Sequence, residues 1–212
     1  MTPTKACCVG IALLLCFAVP GISLPQQGKK EAKPTYESLL EGVKKQDPAV
    51  DFTALRMAYF DFPKHKWTDS DLRKAMFKAL GEKDYDKAIG TAGKILNDNY
   101  LDIDAHLVSA IVSKRKNDPT GQKLHDFVGK GLFQSILASG DGKTPETAYV
   151  VISVDEEYSL LRVQGLRTEE QSLVPLNGHH YDVMKVVSSD GGQSTIYFNI
   201  DRPHAEEMKM FQ

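Results

Sequence analysis

The stretch Ser139-Gly140-Asp141-Gly142-Lys143-Thr144-Pro145-Glu146-Thr147-Ala148-Tyr149-Val150-Val151-Ile152-Ser153-Val154 divides the chain into halves of different periodicity. Before it, apolar residues recur at helical spacing; after it, β-branched and aromatic runs alternate with turn residues. The stretch reads as a joint. Gly140 ends a helix, Asp141 to Pro145 reverse the chain, and Thr147 to Val154 enter the core as a central strand buried on both faces. Gly142-Lys143-Thr144 invites a phosphate-loop reading, but that motif needs a glycine where Leu137 stands. It also needs a strand before and a helix after, the reverse of this order. Gly140, Asp141, Gly142 and Pro145 are therefore assigned a structural role, with Lys143 in solvent.

Upstream of the joint the helices can be placed by stripe and cap. Tyr36, Leu39, Leu40 and Val43 form one stripe, and Phe52, Leu55 and Tyr59 another behind Asp51 as N-cap. Thr68 and Asp69 open a helix carrying Leu72, Met76 and Leu80, which Gly81 stops. Asp84 precedes a stripe running from Tyr85 through Ala88 and Ala92 to Leu96. The next helix starts near Asp102 or Asp104 and ends in Lys114-Arg115-Lys116, where cations suit the negative end of the macrodipole. Leu124, Val128, Leu132 and Ile136 make the longest helix, in which Gly129 and Gly131 would let a neighbouring helix approach closely. Gly81, Tyr85 and Ala88 look like a single degenerate tetratricopeptide unit, too few for a free-standing solenoid, so this layer must lean on the second half.

Downstream, Asp155-Glu156-Glu157-Tyr158 opens a short helix ending at Gly165. Gln171 to Leu176 and His179 to Val187 flank Asn177-Gly178, a type I′ hairpin signal, and Ser194 to Ile200 is the last strand. Setting Val183 opposite Phe198 gathers Tyr181, Val183, Ile196, Phe198 and Ile200 on a core face; a slip by one residue would put Asp182 opposite Phe198. The chosen register collects His180, Asp182, Tyr197, Asn199 and Asp201 on the other face, with Met184. Imidazole beside carboxylates can bind a metal or act as a general base, while a polar sheet face is also what plain solvation produces. This is the candidate binding face. His106, following Asp102 and Asp104, resembles a metal run, but those acids sit where helix caps belong. No His-x-x-x-His, Gly-x-Ser-x-Gly or cysteine-rich spacing is present, so no metal or cofactor is expected.

Residues 1–23 stand apart: Lys5, an apolar run from Val9 to Val19, and small residues at Gly21 and Ser23 read as a secretory signal peptide. Leu15 before Cys16, and Phe17-Ala18-Val19 after it, depart from a lipoprotein signal. Cys7, Cys8 and Cys16 all lie in this segment, so the mature chain would hold no disulfide and no thiolate site. Cleavage removes one cation, leaving 25 Lys+Arg against 28 Asp+Glu. No basic stripe is present, which argues against a nucleic-acid partner. The expected organisation is a signal peptide (1–23), a flexible leader (24–34), a helical region (35–139), an α+β region sharing its core (140–204) and a tail (205–212).

The joint motif, Val151-Ile152-Ser153-Val154 with Glu157-Tyr158, Gln171-Ser172-Leu173-Val174, Tyr181-Asp182-Val183 and Tyr197-Phe198-Asn199-Ile200 resemble domain-of-unknown-function family number 4919, a group of exported bacterial proteins. So do Leu166 and Lys94-Ile95-Leu96-Asn97. The resemblance spans Tyr36 to Pro203. It implies an exported bacterial chain with helices followed by a small sheet, and carries no assigned activity or catalytic residue. The expectation is an α+β protein: a partly tetratricopeptide-like helical layer packed on a small, mostly antiparallel sheet with one helix. Its expected role is a non-catalytic binding module of the cell envelope, periplasmic or extracellular, taking a protein or peptide partner and spanning no membrane after cleavage. The alternative is an envelope hydrolase using His180, Asp182, Asn199 and Asp201.

Overall fold

A computed structural model describes residues 33–210. The expected signal peptide and almost all of the leader lie outside the described residues. In order, the elements are α1 (Tyr36–Lys44), α2 (Phe52–Phe60), α3 (Ser70–Gly81), α4 (Tyr85–Asp98), α5 (Ile103–Arg115), α6 (Pro119–Leu137), β1 (Tyr149–Val150), α7 (Val154–Val163), β2 (Arg167–Leu176), β3 (His179–Val187), β4 (Gln193–Asn199) and α8 (Asp201–Met210). The architecture is α+β, and helices and sheet belong to one compact unit. Among the described residues no helix is long and apolar enough to cross a membrane.

The helical half follows its caps. Asp51, Asp69, Asp84, Asp102 and Asp118 each accept a backbone N–H from the first turn of the helix they precede. Connections are tight because Lys83 and Asn117 take left-handed backbone (φ 61° and 58°) immediately before Asp84 and Asp118. One residue ends a helix and the next begins another. Met76, Ala79, Ala88, Ala92, Ile95 and Val108 form a small core between α3, α4 and α5. The larger core joins α1, α2 and α6 to α7 and the sheet through Leu55, Val128, Leu132, Ile152, Leu160, Met184 and Phe198. Gly131 of α6 lies against the Phe52 ring with no room for a Cβ, the close helix approach its position predicts.

A buried arginine ties the halves together. Arg56 of α2 is wholly inaccessible and donates Nε to Glu156 Oε1 at 2.7 Å and Nη2 to Glu156 Oε2 at 2.5 Å. Nη2 also reaches the Val150 carbonyl at 2.9 Å, and Glu156 Oε2 accepts the Ile152 N–H at 2.9 Å. A bidentate fork with its spare donors and acceptors filled is the arrangement in which a buried ion pair can be tolerated.

The sheet order is β1-β4-β3-β2, with β1 parallel to β4 and the other pairs antiparallel. Two expectations are corrected here. The run Thr147 to Val154 is not a central strand: only Tyr149 and Val150 pair, at the edge beside Phe198 and Asn199, because Pro145–Thr147 form a 3-10 turn and Ser153 already caps α7. The register is the one the core-face argument rejected. Asp182 lies opposite Phe198, Met184 opposite Ile196 and Tyr181 opposite Asn199. That alignment buries Met184 and Val186 alongside Ile196 and Phe198; the other would turn Met184 outward. In addition, residues 201–210 form helix α8 where the strand-and-tail pattern announces no helix. The hairpin turn is as read, with Asn177 and Gly178 at φ 52° and 82°.

The joint is a closed loop docked on β4. The Thr147 carbonyl accepts the N–H groups of Asp141 and Gly142 at 3.0 and 2.8 Å, and Thr147 Oγ1 donates to Asp141 at 2.6 Å. Gly142 has φ 68°, and its carbonyl accepts the Tyr197 N–H at 2.8 Å. A Cβ on Gly140 would fall inside the Thr147 carbonyl oxygen. Gly140→Ala is therefore expected to lower the free energy of unfolding by about 2 kcal/mol. Gly90→Ala, where a Cβ meets nothing within 4 Å, is expected to gain up to about 1 kcal/mol instead. Urea midpoints moving together for the two variants would show that the joint imposes no such limit.

Candidate functional site

The corrected register dismantles the candidate face. His180 and Asp182 share one side of the sheet, whereas Asn199 and Tyr197, opposite Tyr181 and Val183, lie on the other. Asp182 is buried and accepts from Gln171 Nε2 at 2.7 Å, and Gln171 Oε1 in turn accepts from the Tyr158 hydroxyl at 2.7 Å. His180, Asn199 and Asp201 do meet. Asp201 accepts the His180 N–H at 2.7 Å, pairs with His179 Nδ1 at 2.6 Å, and accepts from Asn199 Nδ2 at 3.2 Å. Burial pushes the Asp201 carboxyl up, but these contacts outweigh it and hold it below the usual carboxylate range. The His180 ring stacks on His204 of α8 at 3.8 Å. This set locks the turn from β4 into α8.

A cleft of about 240 Å³ opens elsewhere, where three distant segments converge. Trp67 comes from the α2–α3 connection, Ile152 to Asp155 from the start of α7, and Pro203, Glu206 and Glu207 from α8. Trp67 Nε1 donates to Glu206 Oε2 at 3.1 Å, and His65 Nε2 lies 2.7 Å from Glu206 Oε1. The His65 Nδ1 is 2.7 Å from the Phe62 carbonyl, and its ring is 4.8 Å from Trp67. Glu206 thus holds two aromatic side chains in place. Beneath the cleft a crevice of about 10 Å³, the room of one water, runs between Tyr59, Asn99, Asp102, Asp155 and Ser159.

The surroundings are strongly acidic. Arg73 reaches Asp102 Oδ2 at 2.7 Å, Asp104 Oδ2 at 2.5 Å and Asp155 Oδ2 at 2.8 Å; Arg162 adds a 3.3 Å contact to Asp104. Two guanidiniums therefore serve three carboxylates. Burial, with the neighbouring acids, raises Asp155 and Asp104 above the ordinary range despite their arginine partners. Behind α7, Glu157 is wholly buried, and neither of its oxygens meets a donor. Burial first, then the Asp182 charge and the hydrogen bond between the two carboxyl groups, push Glu157 up to about 9. At neutral pH Glu157 is a neutral acid that donates to Asp182.

His106 belongs to neither set. Its Nε2 faces the Tyr100 carbonyl at 2.8 Å and must donate there, so Nδ1 accepts, at 2.9 Å, from His125 Nδ1. Burial brings His106 down to about 4, and Asp102 serves as the cap of α5, as its position predicts. Among the described residues no three His, Cys, Asp or Glu side chains are placed to hold a metal ion.

The chain belongs to the family described as Domain of unknown function (DUF4919), whose model matches residues 28–209. No curated protein and no solved structure matches it.

Proposed function

We propose that this member of the family is a non-catalytic interaction module of the cell envelope, and that it receives a polypeptide partner in the cleft over Trp67. The cleft itself carries the reading: apolar walls from Trp67, Ile152, Val154 and Pro203, carboxylates at the rim, and side chains pinned between segments far apart in sequence. About 240 Å³ falls short of the pockets that enclose a drug-sized ligand and suits one large side chain projecting from a partner. The hydroxyl in the wall, Ser153, is engaged as the α7 cap, 3.3 Å from the Glu156 N–H. The envelope setting rests on the signal-peptide pattern of residues 1–23. The hydrolase alternative needs His180, Asp182, Asn199 and Asp201 in one place; the register parts Asp182 from Asn199, and Asp201 is occupied in the turn.

The test is comparative capture from envelope extract on immobilised chain lacking its expected signal peptide, read by mass spectrometry. Proteins retained by the parent chain are expected to be lost with Trp67→Ala and kept with Lys185→Ala, a control on the far side of the sheet. A thermal melt confirms that each variant is folded. An identical set of captured proteins on all three would overturn the reading.

A further inference from the structure

We infer that the cleft selects a lysine or arginine side chain of its polypeptide partner, an inference that rests on the cleft being the partner site. The walls suit such a side chain along its length. Trp67, Ile152, Val154 and Pro203 offer apolar surface to an aliphatic stem, and Asp155, Glu206 and Glu207 offer carboxylates to its head. Trp67 is fixed by its N–H bond to Glu206, and indole is the aromatic face that best attracts a cation.

The charges facing the cleft have one sign in excess. Glu206 is engaged by His65, and Asp155 by Arg73, which also serves Asp102 and Asp104. Glu207 has no hydrogen-bond or ion-pair partner among the described residues and stands exposed at the rim. An anion would be the competing ligand, because the positive end of α7 points here. Two of the N–H groups near that end are engaged within the chain: Ser153 Oγ accepts from Glu156, and Glu156 Oε2 accepts from Ile152. An anion entering would also meet the carboxylates of Asp155, Glu206 and Glu207.

Trp67 is the chain's one tryptophan, so its fluorescence reads the cleft directly. The probes are capped tripeptides with lysine, arginine or norleucine between two alanines, and putrescine. The lysyl or arginyl peptide is expected to bind about tenfold more tightly than the norleucyl peptide. Glu207→Gln is expected to cut that preference about threefold, and Glu207→Lys to remove it. Equal binding of the norleucyl peptide overturns the inference but leaves the cleft as a partner site. Putrescine matching the peptides overturns the assignment to a polypeptide side chain. No response to any probe, together with capture unchanged by Trp67→Ala, overturns both readings.

Discussion

Replacing Arg56 by methionine is expected to lower the free energy of unfolding by about 3–5 kcal/mol, the usual effect of stranding one member of a buried ion pair. Methionine keeps much of the stem and its packing. What it loses is the fork onto Glu156 and the donor to the Val150 carbonyl, all at a site without solvent access. Glu156 then keeps the Ile152 N–H but no cation. The double variant Arg56→Met with Glu156→Met removes both charges and is expected to recover more than half of the loss. Urea unfolding followed by circular dichroism measures the cycle. If the double variant is as unstable as the sum of the two single ones, the pair does not act as a unit.

Glu157→Gln is expected to work in the opposite direction, stabilising the protein at neutral pH. The folded Glu157 titrates at about 9 and the unfolded side chain near 4.5, so the folded state holds the proton more tightly. Its contribution is complete below about pH 4.5 and is lost as pH rises towards 9. At pH 7 the loss is on the order of 3 kcal/mol, at about 1.4 kcal/mol for each pH unit. Glutamine keeps the shape, donates to Asp182 as the protonated acid does, and has no proton to lose. Unfolding free energies measured from pH 5 to pH 9 are expected to fall for the parent and to flatten for Glu157→Gln, with the gap widening as pH rises. Parallel curves would show that Glu157 is ionised in the folded protein.

Local chemistry was readable from residue types, because a cap needs only an aspartate and a stripe behind it. Asp51, Asp69, Asp84 and Asp102 open helices where their positions announce them, and Asn177-Gly178 turns the hairpin. The β register was not readable, because the partners of Asp182 come from other elements. Polarity patterning keeps Asp182 out of a core, and its place inside rests on the Gln171 amide and on the buried Glu157 carboxyl of α7. Met184 and Val186 were the countervailing signal, since the chosen alignment left Met184 on the polar face. β1 is short because the ladder ends at Val150: Val151 keeps one bond to the Asn199 carbonyl, and Val151 and Ile152 are buried in the core where the chain turns into α7. The cleft had no signature at all. Trp67, Ser153 and Glu206 share no spacing, and nothing in a linear pattern connects residues brought together by a terminal helix that the strand-like ending conceals.

The reach of Arg56 also sets an order of events. Its partners Ser135, Val150 and Glu156 lie 79, 94 and 100 residues further along the chain, and the Trp67–Glu206 bond closes a loop of 139. Contacts so distant in sequence slow folding, because loop closure must precede their reward. A nascent chain that has emerged only as far as the joint holds Arg56 without its carboxylate, and Trp67 without its clamp. The helical half can form turns early, but Trp67 lacks its bond until Glu206 has been synthesised. In a polypeptide wired in this way, the contacts that join its two halves are among the last to become possible during synthesis.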